Sequence, residues 1–480
     1  MLDKIKTLEA VSRRLEPSPG LRTEWNRSVQ EYADRFIDSL PDAKGFELPD
    51  QVNEWTKDYP IAETGRDIAD LLQVLGSEVD RVGLNPASGA HLAYIPGGGV
   101  FPTALGDYLA AVGNRYAGLY FANPGAVQLE NQLIRWMCEM AGYPPTALGN
   151  LASGGSIANL IAITTARDHL GIKPRLVETA AVYLTAQVHH CVHKALRIAG
   201  LGDAVIRYVP MDGRFRMDAE ALRVQVEQDK TAGLRPFLVV ASAGTTDTGA
   251  MDPLDAIADV AEEHGMWFHV DAAYGGFFIL LDDLKPLFSG IGRSDSIAID
   301  PHKGLFLSYG LGAVLIKNVR AQYESHYYKA NYMQDVQTME DEPSPADLSP
   351  ELTKHFRGLR MWMALQLFGL EPFRACLDEK RWLARYFYEE VQKLGFEVGP
   401  YPELSVMIYR YVPERGDPNE FNRRLMELLH KDGRIFVSST TIEGTFWIRL
   451  AVLSFRTHLE HIHRLLDMLK VATGKVSERF

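Results

Sequence analysis

The sequence has little cysteine, no long apolar run and no basic cluster, and each shortage excludes a class of protein. Its three cysteines, Cys138, Cys191 and Cys376, lie far apart without a CxxC pair, which argues against a disulfide framework and against a structural zinc site. No apolar run approaches the ~20 residues that span a bilayer. The charged N-terminal stretch also lacks the apolar core of a secretion signal. We therefore expect a cytoplasmic protein that has no membrane partner.

The charge balance is acidic. The 480 residues include 62 Asp and Glu against 50 Lys and Arg, which gives a formal net charge of −12. Such a chain is a poor candidate for holding nucleic acid or an anionic membrane, and simple solubility explains the excess of acid. The hydrophobic fraction of 46% is that of an ordinary globular protein with ample length for a large core.

The middle of the chain contains short apolar runs that alternate with helical segments. Nearly continuous apolar runs are typical of strands covered by helices on both faces. Strand, helix and strand with short connections predict a mostly parallel sheet. For the helix before the fourth run, Asp252 is the expected N-cap, Pro253 the first residue and Gly265 the stop. The runs are Ala181–Thr185, Val205–Val209, Phe237–Ala241, Trp267–Val270, Ser296–Ile299 and Ala313–Ile316.

Composition divides the chain into three parts. Residues 1–90 are polar, helical in pattern and broken by prolines, and are expected to pack on a partner. Residues 91–370 form the predicted large α/β domain, which ends in a long polar loop from about 320 to 350 and a helical section. Residues 371–480 are expected to form a small α+β domain, with strands at Ser405–Tyr411 and Thr445–Val452.

Ligands of parallel sheets bind at the carboxyl ends of the strands, so the residues that follow each run are the candidates for the chemistry. Lys303, in DPHK, directly follows an apolar run, and a lysine at a buried strand end is a candidate for Schiff-base chemistry. Asp271 ends another run, where it is either a satisfied cap or the partner of a buried cation. A protonated pyridine nitrogen would be such a cation.

Three more strand ends carry polar or small residues. The turn 153–156, Ser-Gly-Gly-Ser, precedes a helix and could hold a phosphate at the helix start. The hydroxyls of Thr245 and Thr246 are placed for a cofactor oxygen. His189 lies in HHCVHK, which has too few matching ligands to predict a metal site, so we expect none.

Taken in order, the Gly-Ser turn, His189, the threonines, HVDAAYGG and DPHK resemble the pyridoxal-phosphate-dependent group II amino-acid decarboxylases. The resemblance runs from about residue 90 to about 465. It implies an aspartate-aminotransferase-like fold of type I, in which a mostly parallel central sheet is joined to a small C-terminal α+β domain. It also implies pyridoxal 5′-phosphate as cofactor, an amino-acid substrate and a homodimer with shared active sites.

The resemblance also implies roles for single residues around the cofactor. Lys303 would bind the cofactor as the internal aldimine, and Asp271 would pair with its pyridinium nitrogen. His189 would stack on one face of the ring, opposite Ala273. The remaining cofactor-binding positions are Gly155, Ser156, Thr246, Asp300 and His302, of which His302 would reach the phosphate.

On the substrate side, Arg449 in FWIRLAV matches the arginine that meets the substrate carboxylate, and Ile95, Pro96 and Gly97 align with the substrate-binding region. Tyr332 in KANYMQD matches a loop tyrosine that reprotonates the substrate carbon. The implied reaction is decarboxylation of an L-amino acid, and we expect an aromatic one.

Several alternatives are left open by the sequence. Glycine-rich backbone near residues 97–99 could hold the second carboxylate of an acidic substrate. Transamination uses the same cofactor residues, because the two reactions differ in which bond at the substrate carbon lies perpendicular to the ring. Aldehyde-forming oxidative decarboxylation is disfavoured by the tyrosine at position 332. A plain nucleotide-binding α/β protein leaves HVDAAYGG and DPHK unexplained.

Overall fold

Seven strands form the larger sheet of the computed structural model, which describes residues 1–48, 54–328 and 342–478. Their order is β3-β9-β8-β7-β6-β4-β5, and all pairs are parallel except the two that β9 makes. The strands of the chain are β1 Phe46–Glu47, β2 Gly83–Leu84, β3 Leu148–Ala152, β4 Ala180–Leu184, β5 Val205–Tyr208, β6 Arg235–Ser242, β7 Trp267–Asp271, β8 Ser296–Ile299, β9 Gly312–Ile316, β10 Phe396–Val398, β11 Val406–Tyr411, β12 Ser438–Ile442 and β13 Thr445–Ala451.

Helices cover both faces of this sheet, as the apolar runs predicted. One buried cluster joins β-sheet residues to α5, α8 and α9, and a second joins them to α6, α7 and α11. The α-helices are α1 Leu2–Ser12, α2 Pro19–Ser39, α3 Ile68–Val74, α4 Pro102–Gly113, α5 Pro124–Met140, α6 Gly155–His169, α7 His190–Ile198, α8 Ala219–Thr231, α9 Leu254–His264, α10 Pro301–Gly304, α11 Val319–His326, α12 Gly358–Phe368, α13 Glu371–Lys393, α14 Pro418–Asp432 and α15 Leu459–Ser477.

A second, antiparallel sheet of order β10-β11-β13-β12 lies in the C-terminal part. Helices α13, α14 and α15 pack on it around a separate buried cluster. The predicted mostly parallel central sheet and the small C-terminal α+β unit are both confirmed. Within the described ranges, none of the helices is long and apolar enough to cross a bilayer.

The six strands predicted for the larger sheet all form, and the seventh strand of that sheet, β3, was missed by the sequence analysis. Its sequence, LGNLA, is interrupted by Gly149 and Asn150. A Cβ at Gly149 would lie 2.9 Å from the carbonyl carbon of Val314 and 3.1 Å from Cα of Leu315. Only glycine lets β3 approach β9 this closely. Gly149 therefore interrupts the apolar pattern by which a strand is predicted, and it is also required for the pairing of that strand.

Two other expectations are corrected by the structure. Asp252 is not the N-cap of α9, because its carboxylate accepts hydrogen bonds from the main-chain N–H groups of Met217 and Ser242, both at 2.7 Å. The predicted loop from about 320 begins instead as helix α11. Gly265 does end α9, in the left-handed conformation with φ of 64°.

Candidate active site

The carboxyl ends of the strands open onto a cavity of about 380 Å³. β3 points the same way as β8, because each pairs antiparallel with β9. Nine of the predicted site residues line the cavity: Gly155, Ser156, His189, Thr246, Asp271, Ala273, Asp300, His302 and Lys303. A larger cleft of about 670 Å³ lies in the N-terminal segment, beside Tyr32 and Asp80, and none of the predicted site residues that the structure describes lines it.

Lys303 lies in a short helix, α10, that follows β8 directly. Its ammonium nitrogen lies 3.2 Å from Oδ2 of Asp300, and Nε2 of His302 lies 3.7 Å from the same oxygen. Oδ1 of Asp300 is buried and has no hydrogen-bond partner within the described ranges. The lysine side chain keeps 23% of its surface exposed, so its amine is anchored by a buried carboxylate yet accessible from the cavity.

Asp271 is the last residue of β7 and is almost fully buried. The main-chain N–H of Ala273 donates to its Oδ1 at 3.1 Å, and Nδ2 of Asn159 donates to its Oδ2 at 3.4 Å. Each carboxylate oxygen therefore has one protein donor. The carboxylate is fixed at the cavity wall, where it can pair with a cationic ring nitrogen.

His189 caps helix α7 at the end of the loop that follows β4. Its Nδ1 accepts from the main-chain N–H of Cys191 at 3.3 Å, so the neutral ring carries its proton on Nε2. Burial lowers the pKa of His189, although the nearby Asp271 carboxylate opposes that shift. A flat, neutral imidazole at the cavity wall suits stacking on an aromatic ring.

The turn after β3 leads straight into α6, whose first residue is Gly155. The N-terminal N–H groups of a helix lack acceptors within it, and the helix dipole favours an anion there. A Cβ at Gly155 would lie 3.0 Å from Oδ2 of Asp300 and 3.2 Å from Cβ of Ala273. The absence of a side chain therefore keeps this end of the cavity open, as the binding of a phosphate requires.

These groups together fit pyridoxal 5′-phosphate. The start of α6 is suited to bind the phosphate, and Asp271 is suited to pair with the ring nitrogen. His189 can stack on a face of the ring, and Lys303 can react with the aldehyde carbon. The roles themselves stay predictions, since they rest on the placement of the residues around the cavity.

Arg449 is not among the residues that line this cavity in the described part of the chain. Its guanidinium donates to the main-chain carbonyls of Thr246 and Asp247 and, at 2.8 Å, to Oγ of Ser438. The side chain is buried. In this arrangement Arg449 ties β13 to the loop that carries Thr246, and its contact with a substrate carboxylate stays a prediction.

The predicted substrate-side residues do not line this cavity, but Gly97 lies against the backbone of the Lys303 helix. A Cβ at Gly97 would lie 2.9 Å from Cα of Phe306 and 3.0 Å from the carbonyl oxygen of Lys303. Ile95 is buried and has φ of 57°, a strained conformation for a β-branched residue. The predicted Tyr332 lies outside the described residues.

Sequence reasoning missed two buried polar residues of the site: Asn159, which lines the cavity, and His269, which lies behind it. Asn159 lies one turn into α6 and, with Thr165, is polar among the otherwise apolar or small buried residues of that helix. His269 precedes Asp271 by two residues, so both side chains lie on one face of β7. The signal available in the sequence was a polar residue at a strand or helix position whose buried neighbours are apolar.

Comparison with known proteins adds family information. The family model described as "Pyridoxal-dependent decarboxylase conserved domain" matches residues 70–412. An aromatic-L-amino-acid decarboxylase of Bacillus atrophaeus is 33% identical over 433 residues, which is 88% of this chain and 89% of the relative. Tyrosine decarboxylase 2 of Narcissus pseudonarcissus is 28% identical over 92% of this chain and 91% of its own length.

The structural comparison agrees on the fold. The crystal structure of Oryza sativa TDC with PLP and tryptamine superposes with a TM-score of 0.89 at 24% identity, and the match covers 96% of this chain and 99% of that one. The likeness confirms the predicted type I fold.

Proposed function

This chain belongs to the pyridoxal-dependent decarboxylase family and is a carboxy-lyase that uses pyridoxal 5′-phosphate, and on that premise we propose that its substrate is an aromatic L-amino acid. The observation that carries the substrate proposal is the 33% identity, over most of both chains, to an aromatic-L-amino-acid decarboxylase. The bound cofactor supplies an electron sink for the pair of electrons left when CO₂ departs.

Different residues around the cavity are proposed to bind different parts of the cofactor. We propose that Lys303 holds the cofactor and later displaces the product, with Asp300 keeping its amine in place at 3.2 Å. Asp271 would keep the ring nitrogen protonated, and His189 and Ala273 would hold the two faces of the ring. The start of α6 and His302 would bind the phosphate.

Proton delivery is proposed for Tyr332, on the support of the KANYMQD segment alone. A hydroxyl brought to the substrate carbon can supply or relay the proton that replaces CO₂. This role concerns the outcome of the reaction more than the binding of substrate.

A substrate panel tests the proposal. Purified enzyme is incubated with tryptophan, tyrosine, phenylalanine, Dopa, glutamate and cysteine sulfinate, and CO₂ and amine are measured for each. We expect the largest kcat/KM for one of the aromatic substrates, with one amine formed per CO₂. Preference for an acidic substrate, or keto-acid product without CO₂, would contradict the proposal.

We also propose that the enzyme is a homodimer with its active sites at the interface. Helix α4 and its N-cap residue carry a stripe of apolar side chains, each at least 40% exposed, on one face: Phe101, Leu105, Tyr108, Leu109 and Val112. The stripe directly follows the segment that lies against the Lys303 backbone. Helix α1 has no buried residue and exposes apolar side chains of its own.

Sedimentation of two matched variants tests the dimer. Val112→Glu places a charge in the stripe, whereas Val471→Glu places one on α15 at a similarly exposed position. We expect wild type and Val471→Glu to sediment as active dimers, and Val112→Glu to shift towards an inactive monomer. A wild-type protein that is fully active as a monomer would overturn the proposal.

A further inference from the structure

We propose that Asn159 and His269 are positioning residues that orient the Asp271 carboxylate through one directed chain of hydrogen bonds. The chain starts at the indole of Trp267, passes through Ser296, His269 and Asn159, and ends at Oδ2 of Asp271. This inference rests on the proposed pairing of Asp271 with the cofactor ring nitrogen.

The chain begins at a group that can only donate, the indole of Trp267. Nε1 of Trp267 can only donate, and it lies 2.7 Å from Oγ of Ser296. The hydroxyl of Ser296, having accepted that bond, is free to donate its own proton. Oγ lies 2.8 Å from Nδ1 of His269, which places an acceptor where that proton can go.

The direction of the chain is fixed at the other end, by Asn159. Its Nδ2 lies 2.8 Å from the carbonyl oxygen of Gly155 and 3.4 Å from Oδ2 of Asp271, and both of these atoms only accept. The amide must therefore turn its NH₂ towards them and its Oδ1 towards Nε2 of His269, at 2.8 Å. Nε2 of His269 must carry a proton.

Asn159 thus selects one tautomer of His269, with Nε2–H donating and Nδ1 accepting from the Ser296 hydroxyl. Burial lowers the pKa of His269 to about 4, so the ring stays neutral and carries one proton. Asn159, His269 and Ser296 are all completely buried, and water is not needed to complete any link. The chain consequently holds the Asn159 amide in the one orientation that donates to Asp271.

The site would lose this donor if the amide were free to turn. With its orientation reversed, Oδ1 of Asn159 would face both Oδ2 of Asp271 and the Gly155 carbonyl, and like dipoles would repel. His269 prevents that reversal, although it is not among the described residues that line the cavity. It acts on the cofactor only through Asn159 and Asp271.

The tautomer can be read directly in the protein without cofactor. Apoprotein labelled with ¹⁵N-histidine is compared with the His269→Gln variant, which removes and so assigns the His269 signals. We expect a neutral ring with the proton on Nε2, unchanged between about pH 6 and pH 8. A proton on Nδ1, or titration of His269 within that range, would overturn the proposed chain.

Cofactor affinity tests what the chain does. His269→Gln keeps an N–H that can donate to Asn159, whereas His269→Phe keeps a flat ring without a donor. Loss of a hydrogen bond to a charged group predicts cofactor binding weaker by about tenfold or more for His269→Phe. We expect His269→Gln to bind the cofactor nearly as wild type does.

His461→Phe is the control for loss of a buried imidazole, since His461 caps α15 in the small C-terminal unit. It should lower the melting temperature and leave cofactor affinity unchanged. If His269→Phe and His269→Gln lose affinity equally, or only in proportion to their loss of thermal stability, His269 is merely structural and the proposal fails. If Asp271→Ala binds the cofactor as tightly as wild type does, the proposed pairing of Asp271 with the cofactor ring nitrogen is wrong. The tautomer of the buried histidine still tests the chain of hydrogen bonds in that case.

Discussion

Substituting Gly97 tests how closely the segment before α4 must approach the helix of Lys303. In Gly97→Ala the new Cβ would lie 2.9 Å from Cα of Phe306 and 3.0 Å from the carbonyl oxygen of Lys303, with the His302 carbonyl nearer still. All of these neighbours are backbone atoms, so the rotation of a side chain cannot relieve the close contacts. The segment is also held by hydrogen bonds from Val100 to Phe306 and from Phe455 to Gly97.

The size of the effect follows from these distances. Ordinary van der Waals contact begins near 3.5 Å, so either the segment or α10 must move by roughly half an ångström or more. A 1 Å misplacement of catalytic groups can lower a rate about a hundredfold. We therefore expect Gly97→Ala to lower kcat/KM by about ten- to hundredfold and to weaken cofactor binding.

The assay compares kcat/KM and cofactor affinity in wild type, Gly97→Ala and Gly125→Ala. Gly125 is the matched control, because its Cβ would meet only Oδ1 of Asn123, at 3.9 Å. Gly125→Ala should behave as wild type. If Gly97→Ala also keeps full activity and affinity, the close approach has no bearing on the position of Lys303 and the reasoning is refuted.

Two further outcomes are expected. Lys354→Met leaves Glu130 buried with the Gly358 N–H as its remaining donor, which should lower the unfolding free energy by about 3–5 kcal/mol in denaturant titrations. The double variant Glu130→Leu/Lys354→Met should recover most of that loss, and a double variant no more stable than the single one would contradict this. Tyr332→Phe should lower amine formation far more than it raises KM, and should increase aldehyde and oxygen uptake. Amine made at the wild-type rate, with no oxygen consumed, would exclude Tyr332 as the proton donor.

Much of the cavity could be predicted because its residues lie next to strand ends that the local sequence identifies. Lys303 and Asp271 follow nearly continuous apolar runs, and the topology of a parallel sheet brings such positions to one edge. The structure places them, with His189, around a single cavity. Their roles were supplied by the family resemblance and not by this geometry.

The remaining features depend on contacts between distant segments, which no local pattern encodes. Asn159 and His269 are 110 residues apart in sequence, and each alone looks like an isolated polar residue in an apolar element. Asp252 is of a residue type that often caps helices, yet its carboxylate accepts hydrogen bonds from main-chain N–H groups that are distant in the sequence. The guanidinium of Arg449 similarly donates to main-chain carbonyls about 200 residues away in the sequence.

The most direct test of the account is to locate the cofactor on the chain. The holoenzyme is reduced with borohydride, digested and mapped by mass spectrometry, with Lys303→Ala treated in parallel. We predict a single pyridoxyl adduct, on the peptide that contains Lys303, and none at a comparable level in the variant. An adduct on another lysine of the wild-type enzyme would contradict the assignment of this strand end as the catalytic centre.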